Sequence, residues 1–388
     1  MLAAVAFVVA LGFGIVIPAI SLFAADFGVG RTAVGLAVSA FAFARFISGP
    51  LGGRLVERFG ERPVLVAGLL TVAVTSGSAG FAASFELFVL LRAVGGVGSA
   101  AFTVAAFSLL LRIAPEHARA RSTATFQGGF LLGGTIGPGI GGFLTDIAPW
   151  LPFVTYGAFL VLAAIVAAAL LPSPTSAAAR SADVAANAMS STARLREARS
   201  FFTNPAFVVA MIANIGVGWM LFGVRNSLVT LYVTDIGGTA SIAGGVLLGG
   251  ALAQALALRW AGRVADTRGR RPAIMAGSWL AAAAVALLTV PVTGATGLVL
   301  AAVAMAGFGV GAAFLASAPG AVLGDIGRSG SRVAVFQMAS DLGAIVGPLA
   351  AGALADLSGY PLAFGCSALV LAVAGVAAIR MPETLRRP

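Results

Sequence analysis

The sequence predicts an all-α membrane protein of twelve transmembrane helices in two pseudo-symmetric six-helix bundles, on three observations. The 388 residues are 59% hydrophobic and only 10% charged, with a mean hydropathy of +1.02. A water-soluble domain carries about 25% charged residues, because its surface must be solvated. Apolar segments follow one another almost without pause, each about the 17–25 residues a helix needs to cross roughly 30 Å of hydrocarbon. Finally, blocks of the first half recur in the second, in the same order and at nearly one offset.

The spans fall at 2–24, 33–53, 63–83, 87–111, 123–145, 151–171, 205–233, 240–261, 272–291, 295–316, 333–355 and 360–380. They are apolar all round, unlike the amphipathic helices of a large soluble protein. The first has no basic n-region, and losing it would leave an odd number of helices, so it is read as a span and not a signal peptide. Met1 running straight into hydrocarbon reads as a missing or very short leader. The expected organisation is a six-helix bundle over 1–171, a linker over 172–204 and a second bundle over 205–388.

The formal charge of +10 comes from arginine alone, since the chain has no lysine. Twenty of the 24 arginines lie in or beside alternate connections: 53–62, 112–122, 172–204, 259–271, 318–332 and the tail after 380. Only Arg31 sits in an opposite-side connection, while Asp26, Glu86, Asp146, Asp235 and Asp356 collect there. The positive-inside rule then places both termini in the cytoplasm of an inner-membrane protein. This distribution follows topology and is not a nucleic-acid footprint. Cys366 stands alone, which rules out an intrachain disulfide. The single histidine, His117, has no metal or nucleophile partner, and no P-loop is present, so neither an enzyme site nor a cofactor or metal is expected.

The linker opens in a Pro/Ser/Ala-rich stretch and closes with Arg194, Arg196 and Arg199 interleaved with Leu195 and Phe201. That closing segment reads either as a short helix lying on inner-leaflet lipid or as plain solvated linker. On either side of it the chain repeats. GRLVERFGER from Gly53 recurs as GRVADTRGRR from Gly262, and FQGGFLLGGTIGPGIGGFLTD from Phe126 recurs as FQMASDLGAIVGPLAAGALAD from Phe336. GGVGSAAF at 95–102 is echoed by GFGVGAAF at 307–314, and Asp26 matches Asp235. A tandem duplication with an even helix count sets two copies parallel, with a substrate site between them.

Three motifs resemble those of the major facilitator superfamily, and within it the twelve-helix drug/proton antiporters, over essentially the whole chain. Gly53-Arg54-Leu55-Val56-Glu57-Arg58-Phe59-Gly60-Glu61-Arg62 is similar to the signature that follows the family's second helix. Arg92-Ala93-Val94-Gly95-Gly96-Val97-Gly98 is similar to its fourth-helix element, and Gly133, Gly137, Pro138, Gly141 and Gly142 match its antiporter motif. The chain-end Pro382-Glu383-Thr384 also resembles family members. The resemblance implies the major facilitator fold, and a gating role for Gly53, Glu57, Arg58, Gly60 and Arg62 and for their second copy Asp266, Gly269 and Arg270. Two residues depart from the family pattern: Glu57 replaces an aspartate, and Glu61 stands where a base is usual.

Physically, glycine at 53 would let the second helix approach a neighbour closely. An acid in such a turn can sit at a helix N-terminus, while arginines meet carboxylates or C-terminal carbonyls. The Gly133–Gly142 run bares one helix face, and Pro138 bends the rod, so this helix is expected to lie flush against the other half. A charge in hydrocarbon costs at least about 2.5–3.5 kcal/mol and should face water or a partner. Those charges are Arg45, Arg92, Arg225 and Asp341, the last being the one carboxylate placed inside a span. Asp341 is read as a proton carrier, with Arg225 and Arg92 as coupling residues, or as a static ion-pair partner of Arg225 or Arg45. Relatives carry their proton acid in the first or fourth helix; this chain has none there, which leaves the coupling residue open. The expected cavity is lined by Phe13, Phe43, Arg45, Phe126, Gln127, Trp219, Phe222, Asn226, Phe336 and Gln337, suiting a large apolar substrate.

The resemblance implies a monomeric exporter of small hydrophobic drugs or metabolites, with protons and membrane lipid as its other partners and no nucleic acid. The alternative is an exporter or facilitator of a specific polar solute, such as a sugar or siderophore, without proton coupling.

Overall fold

The structure, a computed structural model, describes residues 2–113, 119–171, 202–326 and 330–385. All regular structure among them is helical, and twelve helices are long and apolar enough to cross a membrane. The first repeat supplies α1 (Leu2–Ala25), α2 (Arg31–Phe59), α3 (Glu61–Ala79), α4 (Phe85–Ile113), α5 (Arg119–Ile147) and α6 (Leu151–Leu170). The second supplies α7 (Pro205–Asp235), α8 (Ala240–Thr267), α9 (Arg270–Ala286, ending in a 3-10 turn), α10 (Gly294–Ile326), α11 (Gly330–Ser358) and α12 (Tyr360–Ile379). The chain is therefore an all-α membrane protein of two six-helix repeats. The linker from 172 to 201, with its expected surface helix, and His117 lie outside the described residues.

Two compact units form: Met1–Gly28 with Ala40–Ala188, and Val29–Ser39 with Met189–Pro388. The start of α2 joins the second unit for local reasons. On α11, Asp356 accepts from the backbone N–H groups of Arg31 and Thr32, both at 2.8 Å, and from the Thr32 hydroxyl at 2.6 Å. This carboxylate satisfies the otherwise orphaned donors of the first turn of α2. Farther along, the Ser39 hydroxyl donates to the Ile345 carbonyl at 2.7 Å.

Helix ends follow their punctuation. Asn204 caps α7, its side chain accepting from the N–H groups of Ala206 and Phe207, with Pro205 at the first helical position where no donor is needed. Between α2 and α3 the chain reverses at Gly60 (φ 88°), and between α8 and α9 at Gly269 (φ 123°), backbone conformations that exclude a Cβ. The matched motifs around 53–62 and 262–271 are therefore mostly helix, not loop. Nothing between Gly53 and Phe59 breaks α2, so the helix continues through its charged final turns.

Glycine sets the tightest contacts. A Cβ built on Gly137 would fall 2.6 Å from both the Gly14 Cα and the Leu11 carbonyl oxygen; one on Gly133 would fall 2.6 Å from the Leu11 nitrogen. The bare face of α5 is thus seated on α1 of its own unit. Glycines four apart line one stripe, and α1 answers with a glycine of its own. The second unit repeats this seam. Cβ atoms on Gly343 and Gly347 of α11 would lie 2.6 Å from the Trp219 nitrogen and 2.8 Å from its carbonyl oxygen on α7.

Candidate functional site

At the arginine-rich end of the first unit, Glu61 opens α3 with its carboxylate 3.1 Å from Arg112 Nε at the end of α4, and its side chain is only 6% exposed. Arg62 donates to the Ala168 carbonyl in the last turn of α6, meeting the helix C-terminal carbonyls expected of these arginines. Glu57 and Arg58 are exposed. A Cβ on Gly53 would meet nothing within 4 Å, so close helix approach is not what places glycine there; the conformational demand falls on Gly60 instead.

The corresponding end of the second unit is more densely tied. Arg270 reaches Asp266 through Nη1 at 2.5 Å and Asp325 of α10 through Nε at 3.0 Å. Glu383, just past α12, accepts from the N–H groups of Arg270 (2.8 Å) and Arg271 (3.1 Å), and Thr384 donates to Asp325 at 2.9 Å. Here the acid at the N-terminus of α9 is Glu383. In sequence Glu383 shows only as the middle of a chain-end Pro-Glu-Thr, and nothing nearby signals its reach.

Deeper in the first unit, Arg92 is 4% exposed, with its guanidinium carbon 4.6 Å from the Phe41 ring centroid. Phe41 stands 5.8 Å from Phe13, which meets Tyr156 at 6.4 Å. A Cβ on Gly95 would lie 3.0 Å from Thr75 Oγ1 and in ordinary contact with the Phe41 ring, at 3.6 Å. The cation is held against an aromatic face, a geometry worth about 2 kcal/mol or more when desolvated. Of the other expected cavity residues here, Phe126 is buried against Phe130 (5.2 Å), Arg45 is half-buried, and Phe43 and Gln127 are exposed.

In the second unit the middle of α7, Gly218–Val229, is wound as a π-helix. Such widenings cluster at functional sites. No proline lies between Pro205 and Asp235; instead Gly218 is seated on the Ser340 backbone and Gly223 on the Pro348 ring. Trp219 turns toward α12, donating from Nε1 to the Ser367 hydroxyl at 3.0 Å. Phe222 is 49% exposed and Gln337 is exposed, while Phe336 packs on a core of Phe207 and Leu323. Asn226 is buried and donates to the Phe222 carbonyl at 3.1 Å.

Arg225 is 8% exposed, its Nε has no hydrogen-bond partner, and it makes no ion pair among the described residues. The expected Asp341–Arg225 pair is therefore not formed. The register explains why: α7 and α11 run together from Gly218 beside Ser340 to Gly223 beside Pro348. Asp341 lies level with the start of the π segment, and Arg225 sits seven residues beyond that start, more than a full turn farther along α7. Asp341 is half-buried on α11 and has interactions of its own.

At the opposite end of the same unit, Asp235 accepts from Arg31 Nη2 at 3.1 Å and from the Tyr360 hydroxyl at 2.6 Å, while Arg31 lies 4.5 Å from the Tyr360 ring centroid. Only the matching of Asp26 with Asp235 hinted in sequence that this acid had a place in the architecture.

The family model described as Major Facilitator Superfamily matches residues 2–252 and again 211–388. Quinolone resistance protein NorA of Staphylococcus aureus is 31% identical over 172 residues, 43% of each chain. Multidrug resistance protein 1 of Bacillus subtilis is 33% identical over 168 residues, again 43% of each. Each match thus spans less than half of the curated relative. Among solved structures, nucleoside transporter NupG superposes with a TM-score of 0.78 at 14% identity, covering 98% of both chains. A D-xylose-proton symporter gives 0.74 at 16% identity, covering 99% of this chain and 97% of that one. A bacterial homolog to the human lysosomal transporter Spinster gives 0.77 at 17%, covering 100% and 97%.

Proposed function

The chain belongs to the major facilitator superfamily, and from that premise we propose that it exports hydrophobic drugs or metabolites across the inner membrane by alternating access, in exchange for protons. One observation carries the reading. The complete antiporter-type run on α5 is a built seam, with Gly133, Gly137 and Gly141 all against the backbone of α1. Side-chain-free helix contacts of this kind pack without gaps that water or ions can follow. The names of the two curated relatives, both resistance proteins, support the same direction.

In this reading the protein works as a monomer with both termini in the cytoplasm and the arginine-rich helix ends on that side. Its partners are a small hydrophobic substrate, protons and membrane lipid. Asp341 carries the proton, since a carboxyl that exchanges water for protein surroundings changes its proton affinity. The gate is formed by the matched ends of α2–α3 and α8–α9. One observation favours the second reading, a polar solute moved without protons: Gln127 and Gln337 occupy matched positions and both are exposed. Everted vesicles separate the two. Dye accumulation that collapses with a protonophore supports antiport; solute flux indifferent to pH, with no dye movement, supports the second reading.

A further inference from the structure

We infer that Arg225, on the π-wound segment of α7, and Thr230, the residue that follows that segment, form a subsite for the carboxylate of an amphipathic substrate. The inference rests on the export function proposed above and names its substrate class: a compact apolar body bearing one carboxylate.

The two buried arginines differ in how their charge is met. Arg92 has the Phe41 ring against it, whereas Arg225 has neither ring, carboxylate nor hydrogen-bond acceptor among the described residues. A buried guanidinium without a counter-charge is strongly disfavoured, so such a group marks a place that a partner completes. Farther along the helix, Thr230 Oγ1 and Tyr232 Oη are buried without hydrogen-bond partners. The π winding brings Thr230 next to Arg225, because residues five apart fall one turn apart where the backbone bonds run i to i+5. A guanidinium fork offers two parallel donors to a carboxylate, and a neighbouring hydroxyl supplies a third. Asn226 and Ser227 follow Arg225 and donate to the Phe222 and Gly223 carbonyls; otherwise the segment is apolar, with Met220, Leu221, Phe222, Val224 and Leu228. A wholly apolar ligand would leave Arg225 uncompensated, and a multiply charged one would bring charges that nothing on this segment meets.

The test compares 1-naphthoate with its neutral isostere 1-naphthamide, by thermal stabilisation of the purified full chain. The parent should respond to naphthoate at a tenfold or lower concentration than to naphthamide. Arg225→Gln should erase that preference, Arg225→Lys should keep part of it, and Thr230→Val should weaken naphthoate several-fold without affecting naphthamide. If Arg225→Gln does not fold, the Lys and Val variants decide, and naphthoate affinity unchanged in both overturns the subsite. No preference in the parent, or one that survives Arg225→Gln, also overturns it. Dye export in everted vesicles without a naphthoate preference defeats this inference alone; a preference without dye export defeats the export reading and leaves the subsite standing.

Discussion

Glu61 and Arg112 pair at 3.1 Å where α3 begins beside the end of α4, and the second unit pairs Arg270 with Asp325 at 3.0 Å with the charges exchanged. Glu61 and Arg270 stand at the repeat offset of 209, each in the first turn after the positive-φ glycine. The acid at 61, out of place beside the family's usual base, is therefore half of a mirrored ion pair. What the duplication preserves at this position is a bond between consecutive helices, not a sign of charge.

A charge exchange tests that relationship. Glu61→Arg sets two cations against each other, whereas Glu61→Arg with Arg112→Glu restores the pair in the second unit's polarity. Losing one partner of a buried pair costs about 3–5 kcal/mol, but Arg112 is 30% exposed and can turn to water, which brings the expected loss nearer 2 kcal/mol. Thermal unfolding of the purified protein should show a clear drop for the single variant and recovery of at least half in the double. A double variant as unstable as Glu61→Arg would mean that the pairing itself contributes little.

The glycine run on α5 gives a comparison inside one motif. A Cβ at Gly137 would press 2.6 Å from α1 backbone, while one at Gly134 meets nothing within 4 Å. Gly137→Ala should destabilise by about 1–3 kcal/mol through overpacking, and Gly134→Ala should be neutral or slightly stabilising, since alanine favours the helix by up to about 1 kcal/mol. Expression level and melting temperature of the two variants check this directly. Equal behaviour would show that α1 can retreat from α5 at no cost.

Most of the fold was legible because hydrocarbon imposes a length and a composition that few other settings demand. Helix ends were less so: the charged tail of α2 reads as loop, yet only Gly60 ends it, and arginines on a helix reach water as easily as those on a turn. The π segment of α7 carries no proline to mark it; its glycines Gly218 and Gly223 are seated against Ser340 and Pro348 of α11, a contact no local sequence encodes. Arg225 was visible as a charge within a span, but its lack of a partner depends on the register of α7 against α11, which no single segment encodes. An acid at a helix N-terminus was expected at Glu57; the structure shows a further one, Glu383, more than a hundred residues along the chain from the helix it caps.

Glu383 leads to a local prediction. Its carboxylate serves the N–H groups of both Arg270 and Arg271 at the start of α9. A capping acid of this kind is worth about 1–2 kcal/mol, so Glu383→Gln, which removes the charge and keeps the shape, should speed hydrogen exchange at those two amides by roughly five- to thirtyfold. Exchange in the middle of α9 should not change. Acceleration along the whole helix would point to a role in docking α9, not in capping it.

Asp341 bears on energy coupling. It is half-buried on α11, level with the point where α7 changes from α to π winding, so a change in its charge is placed to act on that segment. If it carries the proton, Asp341→Asn holds the protonated shape permanently. Substrate can then still cross with the alternating units, but no gradient can drive it. In proteoliposomes the variant should keep substrate-for-substrate exchange within about twofold of the parent and lose accumulation driven by an imposed pH gradient. Asp341→Glu is the control, since it keeps a titrating carboxyl at that position and should keep pH-driven accumulation. Loss of both exchange and pH-driven accumulation in Asp341→Asn would assign the residue a structural role. Full pH-driven accumulation in the variant would move proton coupling to another group or remove it from the mechanism.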